Sequence, residues 1–394
     1  MDLDLLAQWA QYKGIGLLGT GDCTHPLWIA EMKQKLKATT GGLYEYKGVK
    51  FLLTAEVNTN FFAAGKGKRI HQVLFLPSIE TAEAFNSRLS RYGDLTSDGR
   101  PTLNLSARDL VKLALDLSPD ILIVPAHAWT PHFSIFGANS GFDTVEECFQ
   151  DQAKNIHCLE TGLSSDPAMN WRLSRLDRYT LISNSDSHSA NRIGREANVF
   201  DFSGEPSYKE LVEILKTKDA KRFLYTIEFF PEEGKYHFDG HRNCKVRISP
   251  EEAAKHQNRC PACGRKVTIG VMHRVQDLAD RPEGYEMPGG IPFKRLVPLD
   301  QIIADVRKMG VTSKTVTGEY LDLIQRVGTE FEILVDLPEE ALRKNLPAKI
   351  AEGILRVRKE QIEILPGYDG EYGQVKIFSH EQEELTGEKQ LTLF

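Results

Sequence analysis

A chain of 394 residues, 41% hydrophobic and 26% charged with a net charge of −6, is longer than one ordinary domain and too apolar to be disordered, so two or three domains with sizeable cores are expected. No apolar run is long enough to cross a bilayer, and the start MDLDLLAQWAQYKG has neither a basic n-region nor a cleavage site, which predicts a cytoplasmic protein without a membrane partner. The mild acidity gives no overall sign of nucleic-acid binding. The six cysteines divide into scattered Cys23, Cys148 and Cys158 and clustered Cys244, Cys260 and Cys263, a usage that fits reduced thiols plus one metal knot better than a disulfide framework.

The opening residues read as a helix with Leu3, Leu6, Trp9 and Ala10 on one face. From there to about Glu228 one pattern repeats: a short apolar run rich in β-branched residues, a polar residue at its C-terminal end, then a helix or loop. The runs are IGLLGTGD, FLLTAE, HQVLFLP, ILIVPAH, IHCLETG, LISNSDSH and FLYTIE, with amphipathic stretches such as TAEAFNSRLSRYG and ARDLVKLALDLS between them. Alternating strands and helices predict an α/β fold with a largely parallel sheet, open or closed into a barrel, whose active site gathers at the C-terminal strand ends.

Those ends carry Asp22 and His25, Glu56, His127, Glu160, and the pair Asp186 and His188, while His71 opens its own strand. Two residues apart in extended chain, Asp186 and His188 point the same way. A single buried histidine is more often merely hydrogen-bonded in place than a ligand. The weight therefore rests on recurrence: imidazoles and carboxylates at corresponding positions suit Zn, Mn or Fe, and several anions in one cleft favour a multinuclear site, since unpaired they would be costly to desolvate.

The run of GTGDCTHP, AEVNTNF, PAHAW and SNSDSHS resembles the PHP (polymerase and histidinol phosphatase) domain, a distorted seven-stranded β/α barrel that holds up to three divalent metals. With the later segments included, essentially the whole chain is similar to the endonuclease Q family, whose members cut DNA immediately 5′ of a deaminated base such as hypoxanthine, uracil or xanthine, or of an abasic site. By position the resemblance implies metal ligands at His25, Glu56, His71, His127, Asp186 and His188, with Asp22 a ligand or a support, and catalytic roles for Asp186, His188, Glu56 and His127. The metals would be Zn, Mn, Mg or Fe. The PHP pattern opens with a strand ending in H-x-H; this chain opens with its helix, so that first strand is missing here and the natural chain is expected to extend upstream.

From Phe229 to Arg274 the residues HRNC, at His241 and Cys244, face CPAC, at Cys260 and Cys263, about fifteen residues on, the spacing of a structural tetrahedral zinc site. His237 and His256 compete with His241 for the fourth position. Between Lys235 and Arg274 nine Lys and Arg stand against three Asp and Glu, a local positive excess that suits phosphate-backbone contact. From Val275 to Phe378, VPLDQIIADVRKMG, LDLIQRVGTEFEIL and LPEEALRKNLPAKIAEGILRVRKE read as helical and QIEILPGYDGEYGQVKIF as strand, turn, strand. By resemblance this region helps form the DNA groove and a pocket for a flipped base, to which Tyr285, Tyr368 and Tyr372 are candidates.

The chain thus divides into a PHP metal-dependent phosphoesterase domain at 1–228, a zinc-binding basic module at 229–274, a DNA- and base-recognition region at 275–378 and a flexible tail at 379–394. The expected function is a metal-dependent endodeoxyribonuclease for deaminated bases and abasic sites, located with the nucleoid. A small-molecule phosphoesterase of the histidinol-phosphatase kind would leave the basic zinc module unexplained. A catalytically inactive DNA-binding PHP protein is the reading if the H-x-H strand is truly lost.

The last five residues, QLTLF, follow a polar stretch with no core of its own and resemble the sliding-clamp-binding peptide of bacterial replication and repair proteins. In that resemblance Gln390 bonds at the pocket rim while Leu391, Leu393 and Phe394 anchor in apolar pockets. A peptide of residues 380–394 is expected to bind the purified clamp with micromolar affinity, roughly −8 kcal/mol. Replacing Leu393 and Phe394 by Ala should abolish that binding; equal affinity in the Ala peptide would refute the clamp assignment.

Overall fold

The computed structural model describes residues 1–97 and 99–378, so Gln390, Leu391, Leu393 and Phe394 lie outside the described residues. Asp2 starts the first helix, Leu3–Lys13, by accepting a hydrogen bond from the Leu5 N–H, and Gly14 ends it at φ +82°, a left-handed conformation that costs glycine nothing. Leu3, Leu6, Ala7 and Ala10 are buried beneath it, while Trp9 sits at the margin against Tyr320, ring centroids 5.8 Å apart. Its last residue, Lys13, reaches Glu330 at 2.6 Å with both side chains 3% exposed, and Glu330 also accepts from the Tyr320 hydroxyl at 2.7 Å. Removing either charge would strand the other in a low-dielectric interior, so this pair ties the first helix to the C-terminal region.

The central sheet has seven strands and is mixed, where the repeating pattern predicts a largely parallel one. Leu17–Gly19 runs parallel to Val49–Ala63, but Lys66–Leu76 returns antiparallel to Val49–Ala63, and Leu122–Pro125 is antiparallel to Lys66–Leu76. The reason is a two-residue turn. Ala64 at φ +49° and Gly65 at φ +74° supply the two positive φ angles of a tight hairpin turn, and so short a connection allows only an antiparallel return. The polar and small residues of NTNFFAAGKGKR hide the continuation of both strands, which extend to 15 and 11 residues.

Beyond this sheet, Cys158–Glu160 and Thr180–Ile182 form a parallel pair. Phe223–Glu228 pairs antiparallel with Ala197–Phe200 and parallel with Phe293–Arg295, so a strand from the third region completes a sheet begun in the first. Helices Leu299–Arg307, Lys314–Arg326, Glu339–Asn345 and Ala348–Arg358 surround a core of their own containing Ile302, Ile303, Tyr320, Ile350 and Ile354. The stretch EFEIL does not prolong a helix: Glu332–Asp336 is a π-helical turn whose carbonyls are met by the Arg358 guanidinium, which donates to Ile333, Leu334 and Leu337 at 2.7–3.0 Å. Glu363–Leu365 and Gln374–Lys376 form the expected antiparallel pair.

Candidate active site and metal centres

In the long hairpin Asn58 lies directly opposite His71, and Glu56 is two residues back on the same strand, so Glu56 and His71 share one face. His127 enters from the end of the strand Leu122–Pro125 at φ +29°, its N–H bonded to the buried Glu160 carboxylate at 2.8 Å. A Cβ on Gly162 would lie 2.6 Å from the Cβ of His127, so only glycine lets the two segments approach this closely. The three side chains converge. Glu56 Oε1 is 2.9 Å from His71 Nδ1 and 3.2 Å from His127 Nε2, and the two ring nitrogens are 3.1 Å apart. One proton can bridge only one of these contacts at a time, so a carboxylate and two imidazoles aimed at a single point form a donor set suited to a divalent cation.

The charged groups around this point set one another's protonation. Burial works to raise the Glu56 pKa, but the bonds from His127 and His71 outweigh it and hold the carboxyl well below its ordinary range. Burial lowers His71; it also opposes charging His127, where the adjoining Glu56 prevails and raises the pKa. Glu160 is pushed up to about 7 by burial and by the Glu56 charge.

The structure adds a residue that the sequence patterns do not single out. Arg100, just before the short strand Thr102–Leu103, places Nε 2.6 Å from Glu56 Oε2, without hydrogen-bond alignment, and donates from Nη2 to both oxygens of Asp186 at 2.5 Å. Asp186 therefore stands one guanidinium away from Glu56. Asp22 is also close enough to feel Glu56, Arg100, His25 and His188, and its pKa is raised chiefly by burial and then by Glu56. His25 is partly committed elsewhere: its Nδ1 caps the helix Pro26–Lys35 through the Leu27 N–H, and its Nε2 faces the Thr96 carbonyl at 3.2 Å. His188 is 73% exposed and leans back on the Asp186 carbonyl at 3.0 Å. Asp22, His127 and Asp186 adopt φ of +44°, +29° and +43°, a region non-glycine residues enter only at a cost, and such strain concentrates at functional sites.

A second cluster brings His241, Cys244, Cys260 and Cys263 within 4.8 Å of one another, with His241 Nδ1 3.4 Å from Cys263 Sγ. The hairpin Asp239–His241 and Val246–Ile248 carries the first two, so His241, and neither buried His237 nor exposed His256, completes the set. Burial alone would raise the Cys260 thiol, but the N–H groups of Cys263 and Ala262 and the His241 ring bring it down to about 7, favouring the thiolate that binds metal. The apolar core here is only Ile248, Ala253, Cys260 and Val267 with a few half-buried neighbours, too little to hold the segment without a cross-link. All eight Lys and Arg from Lys235 to Lys266 are exposed, and among the described residues none is within ion-pair range of a carboxylate; only Arg274, at the end of the segment, is paired, with Asp143. Arg242, Lys245 and Arg247 line an open groove of about 400 Å³ together with Tyr368 and Tyr372.

A family model described as the MJ0043 C-terminal domain matches residues 298–361. The uncharacterized protein YqxK of Bacillus subtilis is 29% identical over 387 residues, 94% of this chain and 91% of that protein. The uncharacterized protein MJ0043 of Methanocaldococcus jannaschii is 32% identical over 256 residues, 63% of this chain and 31% of that protein. Among solved structures, the lesion-specific endonuclease PfuEndoQ from Pyrococcus furiosus matches with a TM-score of 0.86 and 31% identity over 99% of this chain and 93% of its own. An endonuclease Q complex with a 27-mer duplex substrate bearing an abasic lesion at the active site matches with a TM-score of 0.85 and 31% identity, over 99% and 94%.

The thiol cluster yields a direct test. Cys260→Ser should open the segment around residues 235–274 to limited proteolysis while the helical core beyond residue 298 stays resistant, and stripping the parent protein with a chelator should reproduce that cleavage pattern. An unchanged pattern in both cases would show that the segment holds its shape without metal.

Proposed function

The chain belongs to the endonuclease Q family, and on that premise we propose that it is a DNA repair endonuclease that nicks the strand 5′ of deaminated bases (hypoxanthine, uracil, xanthine) and of abasic sites. The observation that carries this reading is the convergence of Glu56, His71 and His127 on one point, with Asp186 joined to them through Arg100. The donor set fits divalent metal: Glu56, His71 and His127 would hold it, with Asp186, His188, His25 and Asp22 as further ligands or supports. When bound there, such ions lower the pKa of an attacking water and offset charge building up on the phosphate.

The remaining roles fall to the chain's own groups. Arg100 neutralises two carboxylates, with Nη2 donating to both oxygens of Asp186 and Nε beside Glu56, and its guanidinium is placed where it would meet a phosphate oxygen brought to this centre. Glu160 fixes His127 through the backbone, and Thr130 faces His127 Nδ1 at 2.9 Å, so the ring presents Nε2 to Glu56. Hydrolysis that breaks the P–O3′ bond leaves a 3′-hydroxyl and a 5′-phosphate. The unpaired cations of the 235–266 segment supply a phosphate track, and the His241, Cys244, Cys260 and Cys263 cluster, with one structural zinc, keeps that track in shape. A small-molecule phosphoesterase would have no use for so many unneutralised cations. The tail at 379–394 remains a proposed clamp-binding segment.

Incubation with duplexes carrying a single uracil, hypoxanthine or abasic position should give one nick 5′ of the lesion. Asp186→Asn should slow nicking by at least about a hundredfold while DNA affinity changes by less than about threefold, since the change removes a charge from the reacting centre and not from the phosphate track. Undiminished nicking by the variant would remove Asp186 from the site.

A further inference from the structure

The outer half of the long hairpin lies beyond Glu56 and His71, where the ladder continues through five more residue pairs to Ala63 and Lys66 and carries an exposed aromatic ring near its tip. Side chains alternate along a strand, so Glu56, Asn58, Asn60 and Phe62 project from one face, opposite Val73, His71, Arg69 and Gly67 of the returning strand. That face runs from the candidate metal ligands to Phe62 over about 20 Å. Phe62 is 75% exposed, exceeded among the large apolar side chains of the described residues only by Leu27 at 77%. Its cross-strand partner is Gly67, which has no side chain to lay over the ring, and the space beside that glycine is open.

The opposite face is clamped. Phe61 stacks on Phe142 at 6.3 Å, and Lys68 is buried, with its ammonium on the Gly141 carbonyl and 4.1 Å from the centroid of the Phe142 ring. The tip is therefore held firmly on one side and bare on the other. Arg69, between His71 and the tip, is exposed and lies over Phe133 at 5.8 Å; Phe133 in turn stacks on His71 at 4.8 Å. Among the described residues Arg69 has no carboxylate partner. A cation, then an apolar wedge, at increasing distance from the reacting centre is the arrangement that unstacks duplex DNA: the cation grips a phosphate and the wedge replaces the stacking lost when a nucleotide leaves the helix.

We propose that this hairpin is a duplex-opening wedge, in which Phe62 enters the base stack beside the lesion and Arg69 holds the adjoining backbone phosphate. The proposal rests on the endonuclease reading above. Its test compares a fully paired duplex with one abasic site against the same strand in a bubble where the flanking bases are already unpaired. Phe62→Ala should nick the paired duplex at least about tenfold more slowly than the parent while losing less than about threefold on the bubble, and Phe62→Trp should restore the duplex rate. With a cleavage-resistant linkage and 2-aminopurine beside the lesion, binding of the parent should raise the fluorescence and binding of Phe62→Ala should not. Arg69→Gln should weaken binding to both substrates and flatten its salt dependence. Equal duplex-to-bubble ratios and equal fluorescence in parent and Phe62→Ala would overturn the wedge, whereas a parent that nicks neither substrate would overturn the endonuclease reading itself.

Discussion

Glu56 keeps its charge almost out of water, and the surrounding structure is organised to make that tolerable. Two imidazoles and a guanidinium approach its two oxygens, and the guanidinium is shared with Asp186. Desolvating a carboxylate is expensive unless counter-charge is close and well placed, so removing any one of these partners leaves the others unbalanced. Such a balance is also replaceable: a cation entering between Glu56, His71 and His127 would do electrostatically what Arg100 does now and release the arginine for another anion. The same groups thus stabilise the site and, on the proposed reading, would leave a cation in place to meet a phosphate.

The geometry that makes this possible depends on the hairpin turn at Ala64 and Gly65. Because the return is antiparallel and in register, Glu56 and His71 meet across the ladder, and the strand Leu122–Pro125 pairs with the returning strand so that His127 closes on them. A parallel arrangement would have needed a crossover connection there and would not have set the start of the HQVLFL run beside the end of the FLLTAE run. Positive φ at Asp22, His127 and Asp186 shows where the backbone bends to bring side chains inward.

The candidate ligands stand out in the sequence because imidazoles and carboxylates mark strand ends: Glu56 and His127, which the structure brings together with His71, each follow an apolar run, as do Asp186 and His188, which lie outside that cluster of three. The antiparallel course of the hairpin does not stand out, since around Phe61 and Phe62 its outer half is mostly Asn, Thr, Ala, Gly, Lys and Arg that read as a loop, and pairing direction leaves no trace in composition. Arg100 was hidden for a different reason: it sits in a short polar loop whose distance from Glu56 along the chain says nothing of its distance in space. In the basic segment the cysteine spacing identified the cluster, but only the local hairpin decides that His241 and not His237 or His256 faces the thiols. The π-helical turn at Glu332–Asp336 depends on Arg358 more than twenty residues later, and no local pattern encodes it.

The proposal that depends most on this geometry is metal held at Glu56 in addition to the thiol cluster. Elemental analysis of the purified parent, Cys260→Ser and Glu56→Gln proteins tests it most directly. More than about one metal per chain is predicted for the parent, with Cys260→Ser losing only the thiol-bound ion and Glu56→Gln losing the remainder. A parent with about one metal per chain, lost entirely in Cys260→Ser and fully retained in Glu56→Gln, would contradict it.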